Sequence, residues 1–247
     1  MKTIQVSHLS KHFGTNRAVD DVSFSVSKGE VIGFVGLNGA GKTTTISLLL
    51  GSIKPTSGQI KLFGQPMSYT GAHRFHQHMG YVSGDMALFD KLTGAQYLRF
   101  MRNAYPGDHM SRFEELCKRF EPELGKKISD LSRGNRQKIA LIAAFQHQPK
   151  LVLLDEPTSG LDPLMQSEFL DLVREEAAKG TTVFMSSHYL QEVVDVCTRV
   201  LLMKTGQLVK DIDSTQLRNG HGKLVTVTAT STITLPTGAT HVTKTSQ

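Results

Sequence analysis

The stretch Gly36-Leu37-Asn38-Gly39-Ala40-Gly41-Lys42-Thr43 decides the fold of this chain. It matches G-x-x-x-x-G-K-[ST] without a mismatch, and it lies between a predicted buried strand at residues 31–35 and a predicted helix at residues 43–50. Glycines in such a loop let backbone N–H groups approach phosphate oxygens, and the helix N-terminus adds partial positive charge. We expect Lys42 to bridge the terminal phosphates and the Thr43 hydroxyl to bind Mg²⁺. The loop therefore predicts a site for ATP with Mg²⁺.

Two adjacent carboxylates, Asp155 and Glu156, follow a predicted buried strand at residues 151–154. Open α/β sheets bind ligands at the carboxyl ends of their strands, so both carboxylates are expected near the nucleotide. Because successive side chains point in different directions, Asp155 is predicted to reach the Mg²⁺ shell through a water. Glu156 is predicted to orient or deprotonate the attacking water. His188 follows the next predicted strand and is expected beside these carboxylates, within reach of the terminal phosphate. A lone Asp-Glu pair or a lone His is more often solvated or structural.

Short apolar and β-branched runs alternate with helical patterns along much of the chain. The runs predict strands at residues 4–6, 22–26, 31–35, 151–154, 182–185 and 200–203. The helical patterns lie at residues 43–50, 137–147, 163–179 and 189–196. This alternation is typical of a parallel sheet covered by helices, whereas the first third of the chain looks antiparallel.

Two regions depart from this alternation. Between residues 84 and 134 the strand signal is replaced by helical patterns at 93–103 and 111–120, which predict an inserted helical lobe. After residue 210 the composition shifts to Thr, Ser and Gly, with an alternating run at residues 225–228. We interpret residues 211–247 as a Thr-rich tail that is either a small appended β element or loosely ordered.

The composition is that of a globular protein, with 39% hydrophobic and 20% charged residues among 247. The first residues lack the apolar core of a secretory signal, and no run reaches the roughly 18 apolar residues that span a bilayer. A cytosolic chain is expected. The formal charge of +6 is scattered and no DNA-reading helix is found, so no nucleic-acid partner is expected. Cys117 and Cys197 are expected to pack as small hydrophobic residues, because no further ligand stands at metal-binding spacing.

A second glycine-containing helix start is predicted at Leu131-Ser132-Arg133-Gly134-Asn135. Alone, it is equally an anion site or an ordinary helix cap. Taken with the loop at residues 36–43, the LVLLDEP and SGLD motifs and His188, in this order and spacing, it resembles the nucleotide-binding domain of ATP-binding cassette (ABC) transporters. The resemblance covers roughly residues 2–210. It implies an α/β fold: a P-loop NTPase core with a mixed sheet, an N-terminal antiparallel β subdomain and an α-helical subdomain inserted at about residues 85–134.

The resemblance also implies partners and roles. It implies a head-to-tail dimer, homo- or heteromeric, in which Ser132 and Gly134 complete the partner's ATP site in trans, and in which ATP binding closes the dimer and hydrolysis opens it. The implied ATP-binding residues are Phe13, Gly36, Leu37, Asn38, Gly39, Ala40, Gly41, Lys42, Thr43 and Thr44. The implied Mg²⁺ residues are Thr43 and Asp155, and the implied catalytic residues are Glu156 and His188. Phe13 would stack on adenine, or else be a core residue of the antiparallel sheet. The implied docking surface for separate transmembrane permease subunits, on the inner face of the cell membrane, is the segment from Gly84 to about Tyr105.

Two of the family's motifs are altered in this chain. The family has a glutamine that contacts Mg²⁺ and the attacking water, where this chain reads Ser83-Gly84-Asp85. Since glycine has no side chain, the missing oxygen comes from a water or, as a hypothesis, from Asp85. The signature carries Arg133 for the usual glycine and Asn135 for the usual glutamine. Arg133 either adds a cation near the partner's ATP or is simply exposed.

Gly84-Asp85, together with LSRGNRQK and PTSGLDP, looks like a bacterial subgroup often paired with drug or antibiotic exporters. The leading prediction is therefore an ATP-hydrolysing subunit that powers a membrane transporter, with export as the favoured direction. One alternative is a soluble cassette ATPase that acts on ribosomes or nucleic acid, although such proteins generally fuse two cassettes or insert long coiled coils or zinc modules. The other is a nucleotide sensor without turnover, which Gly84 suggests.

Overall fold

A computed structural model of the chain describes residues 1–85 and 87–219. The predicted tail run at residues 225–228 lies outside the described residues. Two β-sheets form the body of the molecule. The antiparallel sheet contains β1 (Lys2–Phe13), β2 (Asn16–Ser27), β4 (Ser57–Leu62) and β5 (Gln65–Met67), in the order β2-β1-β4-β5. The mixed sheet contains β3 (Val31–Val35), β6 (Met79–Val82), β7 (Leu151–Leu154), β8 (Thr182–Ser187), β9 (Arg199–Lys204) and β10 (Gln207–Asp213), in the order β10-β9-β3-β8-β7-β6.

Helices cover the mixed sheet and form a separate lobe. The described helices are α1 (Lys42–Leu50), α2 (His73–His76), α3 (Gly94–Asn103), α4 (Met110–Phe120), α5 (Arg133–Phe145), α6 (Pro163–Ala178), α7 (Leu190–Val194) and α8 (Ser214–Asn219). Strands β3, β6, β7, β8 and β9 are joined by parallel pairings, and β10 pairs antiparallel with β9. The predicted fold class is confirmed.

The element boundaries differ from the sequence prediction in several places. Strands β3 and β7 coincide with the predicted runs, but β1 and β2 extend well beyond theirs. Strands β4, β5 and β10 and the short helix α2 were not predicted. Strand β10 crosses the predicted boundary after residue 210, so the mixed sheet reaches Asp213. Helix α5 begins at Arg133, within the helix start predicted at residues 131–135 and ahead of the apolar pattern at 137–147, because Ser132 caps its N-terminus.

An aromatic cluster joins the two sheets. Phe24 of β2 stacks on Phe184 of β8 with ring centroids 5.7 Å apart, and Phe34 of β3 lies 5.0 Å from Phe184. Phe34 and Phe184 are fully buried, and burial of each such ring stabilises the fold by roughly 1.5–3 kcal/mol. Strand β3, which leads into the phosphate loop, is therefore fixed beneath the antiparallel sheet.

Helices α3 and α4 form the inserted helical lobe that the sequence predicts. A capping box starts α3, in which the Gln96 N–H donates to the Thr93 hydroxyl and the Thr93 N–H donates to Gln96 Oε1 at 2.9 Å. The buried Arg112 of α4 donates to the buried Glu176 of α6 at 2.7 Å. The lobe is thus tied to the helix that follows the predicted catalytic carboxylates.

Both cysteines pack in the hydrophobic interior, as expected. Cys197 is buried in the core beneath the mixed sheet, and Cys117 is packed against the same core. Burial raises the pKa of the Cys117 thiol to about 11, so this thiol stays protonated near neutral pH. No helix among the described residues has the length and apolar character to cross a membrane.

Candidate nucleotide-binding site

The loop at Gly36–Thr43 connects the carboxyl end of β3 to the start of α1. Glycine is required at two of its positions for different reasons. Gly39 has a φ of 80°, in the left-handed region that favours glycine. A side chain on Gly36 would collide with the carbonyl oxygen of Met203 in β9. The motif's glycines therefore allow both the turn of the loop and its close packing against the neighbouring strand.

Lys42 lies folded back over the loop. Its ammonium group donates to the carbonyl oxygen of Gly36 at 2.8 Å and lies 3.4 Å from Glu156 Oε1, while the side chain is only 6% exposed. Thr43, at the start of α1, is exposed, and Thr44 is partly buried. The ion pair brings together the loop and the second carboxylate, a contact that the sequence did not predict.

Asp155 is buried at the end of β7 and faces the strand next to it. Ser186 Oγ of β8 donates to Asp155 Oδ1 at 2.5 Å and accepts from the Glu156 N–H at 3.0 Å. Ser186 thus holds both acidic residues, and sequence reasoning missed it. The available signal was a serine two residues before His188, directly after a strand predicted to end at the same edge of the sheet.

Glu156 turns in the opposite direction from Asp155. Its φ of 50° is unusual for a residue with a side chain and costs of the order of 1 kcal/mol, a strain that concentrates at functional sites. The turn brings Glu156 Oε2 to 2.6 Å from His188 Nδ1. Because a carboxylate accepts this bond, the Nδ1 atom is the protonated nitrogen. The structure therefore brings Lys42, Glu156 and His188 together.

The oxygen donors near the loop fit Mg²⁺. Mg²⁺ keeps most of its waters and takes few protein ligands. Gly84 lies beside Asp155, since a Cβ on Gly84 would be 3.6 Å from Asp155 Oδ2. Glycine leaves this oxygen uncovered on that side. The hydroxyl of Thr43 and the carboxylate of Asp155 are the hard ligands that would hold the ion.

Asp85 is exposed next to this position. Its backbone N–H donates to Ser83 Oγ at 3.3 Å. Burial raises the pKa of Tyr81, a hydrogen bond with Ser83 lowers it, and the negative charges of Asp155 and Asp85 raise it.

The signature segment is bonded within its own chain. Ser132 caps α5, and its hydroxyl accepts from the Asn135 N–H at 3.3 Å. Arg133 Nη2 donates to Ser159 Oγ at 2.6 Å, so Arg133 lies on the SGLD turn. In the part of the chain that the structure describes, neither Ser132 nor Gly134 is hydrogen-bonded to the phosphate loop.

Phe13 stands at the exposed end of β1. Its side chain is 50% exposed, and the ammonium group of Lys11 lies 4.9 Å from the ring centroid. This exposure is not that of a core phenylalanine, the alternative raised from the sequence. Stacking on adenine stays a prediction for this ring.

The fold and the residues at the carboxyl ends of β3, β7 and β8 define a P-loop nucleotide-binding domain. The family model described as ABC transporter matches residues 19–159, more than half of the chain. This chain belongs to the ABC transporter family.

Individual relatives agree with this assignment. The chain is 35% identical over 211 residues to the probable multidrug ABC transporter ATP-binding protein YbhF of Escherichia coli, an alignment that covers 83% of this chain and 36% of YbhF. It is 32% identical over 225 residues to the bacitracin transport ATP-binding protein BcrA of Enterococcus faecalis, covering 89% of this chain and 72% of BcrA. A solved ATP-binding subunit of an ABC transporter superposes with a TM-score of 0.81 at 29% identity, covering 88% of this chain and 92% of the other. The chain thus spans about a third of the length of YbhF.

Proposed function

We propose that this chain binds and hydrolyses ATP and so powers a membrane transporter that exports its cargo. The observation that carries the proposal is the cluster of Lys42, Glu156 and His188 beside the phosphate loop. BcrA and YbhF are named for bacitracin transport and multidrug transport, which supports export as the direction.

The loop residues bind the phosphates. Backbone N–H groups of Gly36–Thr43 and the N-terminus of α1 surround the phosphate oxygens. Lys42 is close enough to exchange its bonds to the loop carbonyls for bonds to the terminal phosphates, and Phe13 stacks on the adenine. Thr43 and Asp155 hold Mg²⁺, which when bound neutralises phosphate charge. Thr44 completes the predicted ATP-binding set.

Glu156 is the general base in this proposal. Its carboxylate accepts the proton of the attacking water, while the 2.6 Å bond from His188 Nδ1 fixes the orientation of that carboxylate. The other imidazole nitrogen, Nε2, faces the terminal phosphate, and it donates to a phosphate oxygen when it carries a proton as well as Nδ1. Ser186 holds Asp155 and Glu156 so that their carboxylates point in different directions. Asp155 would then act on the metal and Glu156 on the water.

The second half of the site comes from a second ATP-binding subunit. Ser132 is exposed at the start of α5. Among the described residues, it has no hydrogen bond to the phosphate loop of its own chain. A head-to-tail dimer places Ser132 and Gly134 against the partner's ATP, where the helix N-terminus attracts the phosphates. Closure on binding and opening on hydrolysis then transmit the energy to the transporter.

The helical lobe carries the proposed contact with transmembrane permease subunits. Within the segment from Gly84 to Tyr105, Phe89 and Phe100 are 51% and 54% exposed, with ring centroids 5.6 Å apart. Paired exposed aromatic rings are typical of protein interfaces. The chain would therefore lie on the inner face of the cell membrane, held by its permease.

Hydrolysis is tested by the Glu156→Gln variant. We expect ATP to bind with unchanged affinity and turnover to fall roughly 100-fold or more, because a general base contributes about that factor. Glu114→Gln, an exposed carboxylate in the helical lobe, is the matched control and should keep full turnover. Wild-type protein that binds ATP without any turnover would instead support the sensor alternative.

Coupling to transport is tested separately by purification from detergent-solubilised membranes. The wild-type chain should bring a multi-span membrane protein with it, and a Phe89→Ser, Phe100→Ser double variant should lose it. Tyr69→Ser removes a similarly exposed ring outside the lobe and should not. Recovery of ribosomes or nucleic acid in place of a membrane protein would contradict the transporter proposal.

A further inference from the structure

A cavity of about 840 Å³ lies at the edge of the mixed sheet opposite the phosphate loop. It is lined by the residues that precede three parallel strands: Lys28 before β3, Lys150 before β7 and Thr181 before β8. The loop follows the other end of β3. A five-residue strand rises roughly 16 Å at about 3.3 Å per residue, so the cavity and the loop are separate sites.

Cations dominate the charged lining of this cavity. The cationic residues that line it are Lys2, Lys28, Arg74, Lys150 and Lys179. Glu176 is the acidic residue of the lining, and its Oε1 atom already accepts from Arg112 at 2.7 Å and from Lys179 at 2.9 Å. Lys179 is paired with Glu176, whereas Lys2, Lys28, Arg74 and Lys150 have no carboxylate partner within 4 Å among the described residues. Like charges that converge on one cavity repel each other, and a bound anion relieves that repulsion.

The rim of the cavity is held in place by cross-links between its segments. The Gly29 N–H donates to Thr182 Oγ1 at 3.1 Å, and the two hydroxyls of Thr182 and Thr3 are 3.0 Å apart. Gly180 has a φ of 96°, and a Cβ there would lie 3.1 Å from Lys28 Cε. Glycine at this position therefore leaves room for the Lys28 side chain across the rim.

Part of the wall is aromatic. Phe63 has a φ of 52°, and its N–H donates to the Thr3 carbonyl at 2.8 Å. Its ring stacks on Phe75 with centroids 6.5 Å apart and meets the His78 ring edge-on at 6.0 Å. Burial, and then the charge of Lys150, lower the pKa of His78, so this imidazole is neutral near pH 7. The wall thus offers flat rings next to the cations.

We propose that this cavity binds a small anion with two or more phosphoryl groups, independently of the ATP at the phosphate loop. Lysines are flexible point charges that suit phosphate oxygens, and several of them around one space favour a multiply charged ligand over a single carboxylate. The volume lies within the range of small-molecule sites. Inorganic polyphosphate and a nucleotide share this chemistry, and only the nucleotide has a base to place on Phe63.

The test uses the full chain loaded with Mg²⁺ and one equivalent of ADP, whose binding is measured first in every variant. Failure of the phosphate loop to bind ADP is thereby distinguished from failure of the second site. Tripolyphosphate is then titrated by calorimetry, and we expect one further equivalent to bind. Lys28→Glu with Lys150→Glu should weaken that binding roughly tenfold or more, because two charge-assisted contacts are lost. Lys28→Gln with Lys150→Gln gives a milder change of charge should the first pair fail to fold.

The control pair is Lys118→Glu with Lys210→Glu, which changes the net charge equally at exposed lysines that do not line the cavity. Equal weakening by both pairs, or the absence of a second equivalent in the wild type, overturns the proposal. A titration with ADP in place of tripolyphosphate distinguishes a nucleotide from inorganic polyphosphate as the ligand. Binding of a second ADP that Phe63→Ala weakens identifies a nucleotide site. Tripolyphosphate binding without a second ADP identifies a polyphosphate site.

Discussion

Two helix starts in this chain contain glycine and are proposed to bind the same kind of ligand, yet they are built differently. The loop at Gly36–Thr43 leads into α1, and the signature at Ser132 leads into α5. The phosphate loop contacts Glu156 of the same chain through the ion pair between Lys42 and Glu156. The signature contacts Ser159, whose hydroxyl accepts a hydrogen bond from the guanidinium of Arg133.

The difference shows that a helix N-terminus alone does not make a reaction site. The parallel sheet delivers the reactive groups, because β7 and β8 end beside the loop that follows β3 and place Glu156 and His188 there. Among residues 1–85 and 87–219, no strand end supplies such groups to Ser132. The signature therefore suits recognition of a phosphate held elsewhere, which is the basis for proposing that it acts on a partner's ATP.

Replacing Lys42 tests the phosphate loop, the first of the two helix starts. We expect Lys42→Ala to reduce ATP turnover by roughly 100-fold or more, because a buried cation at the developing phosphate charge is removed. Lys210→Ala, an exposed lysine on β10, should leave turnover unchanged. The measurement is steady-state phosphate release. A Lys42→Ala protein with nearly normal turnover would mean that the loop does not hold the reacting nucleotide.

The second site is tested by Gly134→Asp, whose carboxylate would repel phosphate at the start of α5. Turnover should fall roughly tenfold or more, with ATP binding to the separate chain unchanged. Gly125→Asp adds the same charge at an exposed glycine with no atom within 4 Å of a Cβ, and should be active.

Mixing the two inactive proteins sharpens this test. In a head-to-tail dimer of Lys42→Ala with Gly134→Asp chains, one composite site carries both changes and the other carries neither. Random pairing of equal amounts should therefore recover about a quarter of wild-type turnover for independent sites. A mixture that remains inactive would indicate that each chain needs its own signature.

The sequence predicted the strand ends of this site and the opposite directions of Asp155 and Glu156, and missed the contacts that Lys42 and Ser186 make with these carboxylates. Strands β3 and β7 are buried at every position, so their apolar runs were visible. Strands β5 and β10 lie at sheet edges and are largely exposed, so they carry no such run. The Lys42–Glu156 pair and the role of Ser186 follow from the left-handed backbone of Glu156, which no pattern of residue types encodes.

Asp85 tests how the first site manages without the expected glutamine. If its carboxylate acts on the metal shell through water, Asp85→Ala should raise the Mg²⁺ concentration for half-maximal turnover about tenfold. Asp108→Ala, an exposed carboxylate of the helical lobe, is the control. An unaltered Mg²⁺ requirement would leave water alone as the replacement for the glutamine side chain.

Arg133 gives the smallest expected effect and concerns the second site alone. The bond to Ser159 Oγ is exposed, so its loss should cost about 0.5 kcal/mol and change turnover by less than about threefold. The clearer readout is hydrogen exchange at the amides of Ser159 and Gly160, which should become faster in Arg133→Ala while the amides of Gly36–Thr43 do not change. Lys138→Ala, on the same helix, should alter neither region. If turnover instead fell as far as in Gly134→Asp, Arg133 would have to contact the partner's ATP, and the bond within the chain would not describe its working position.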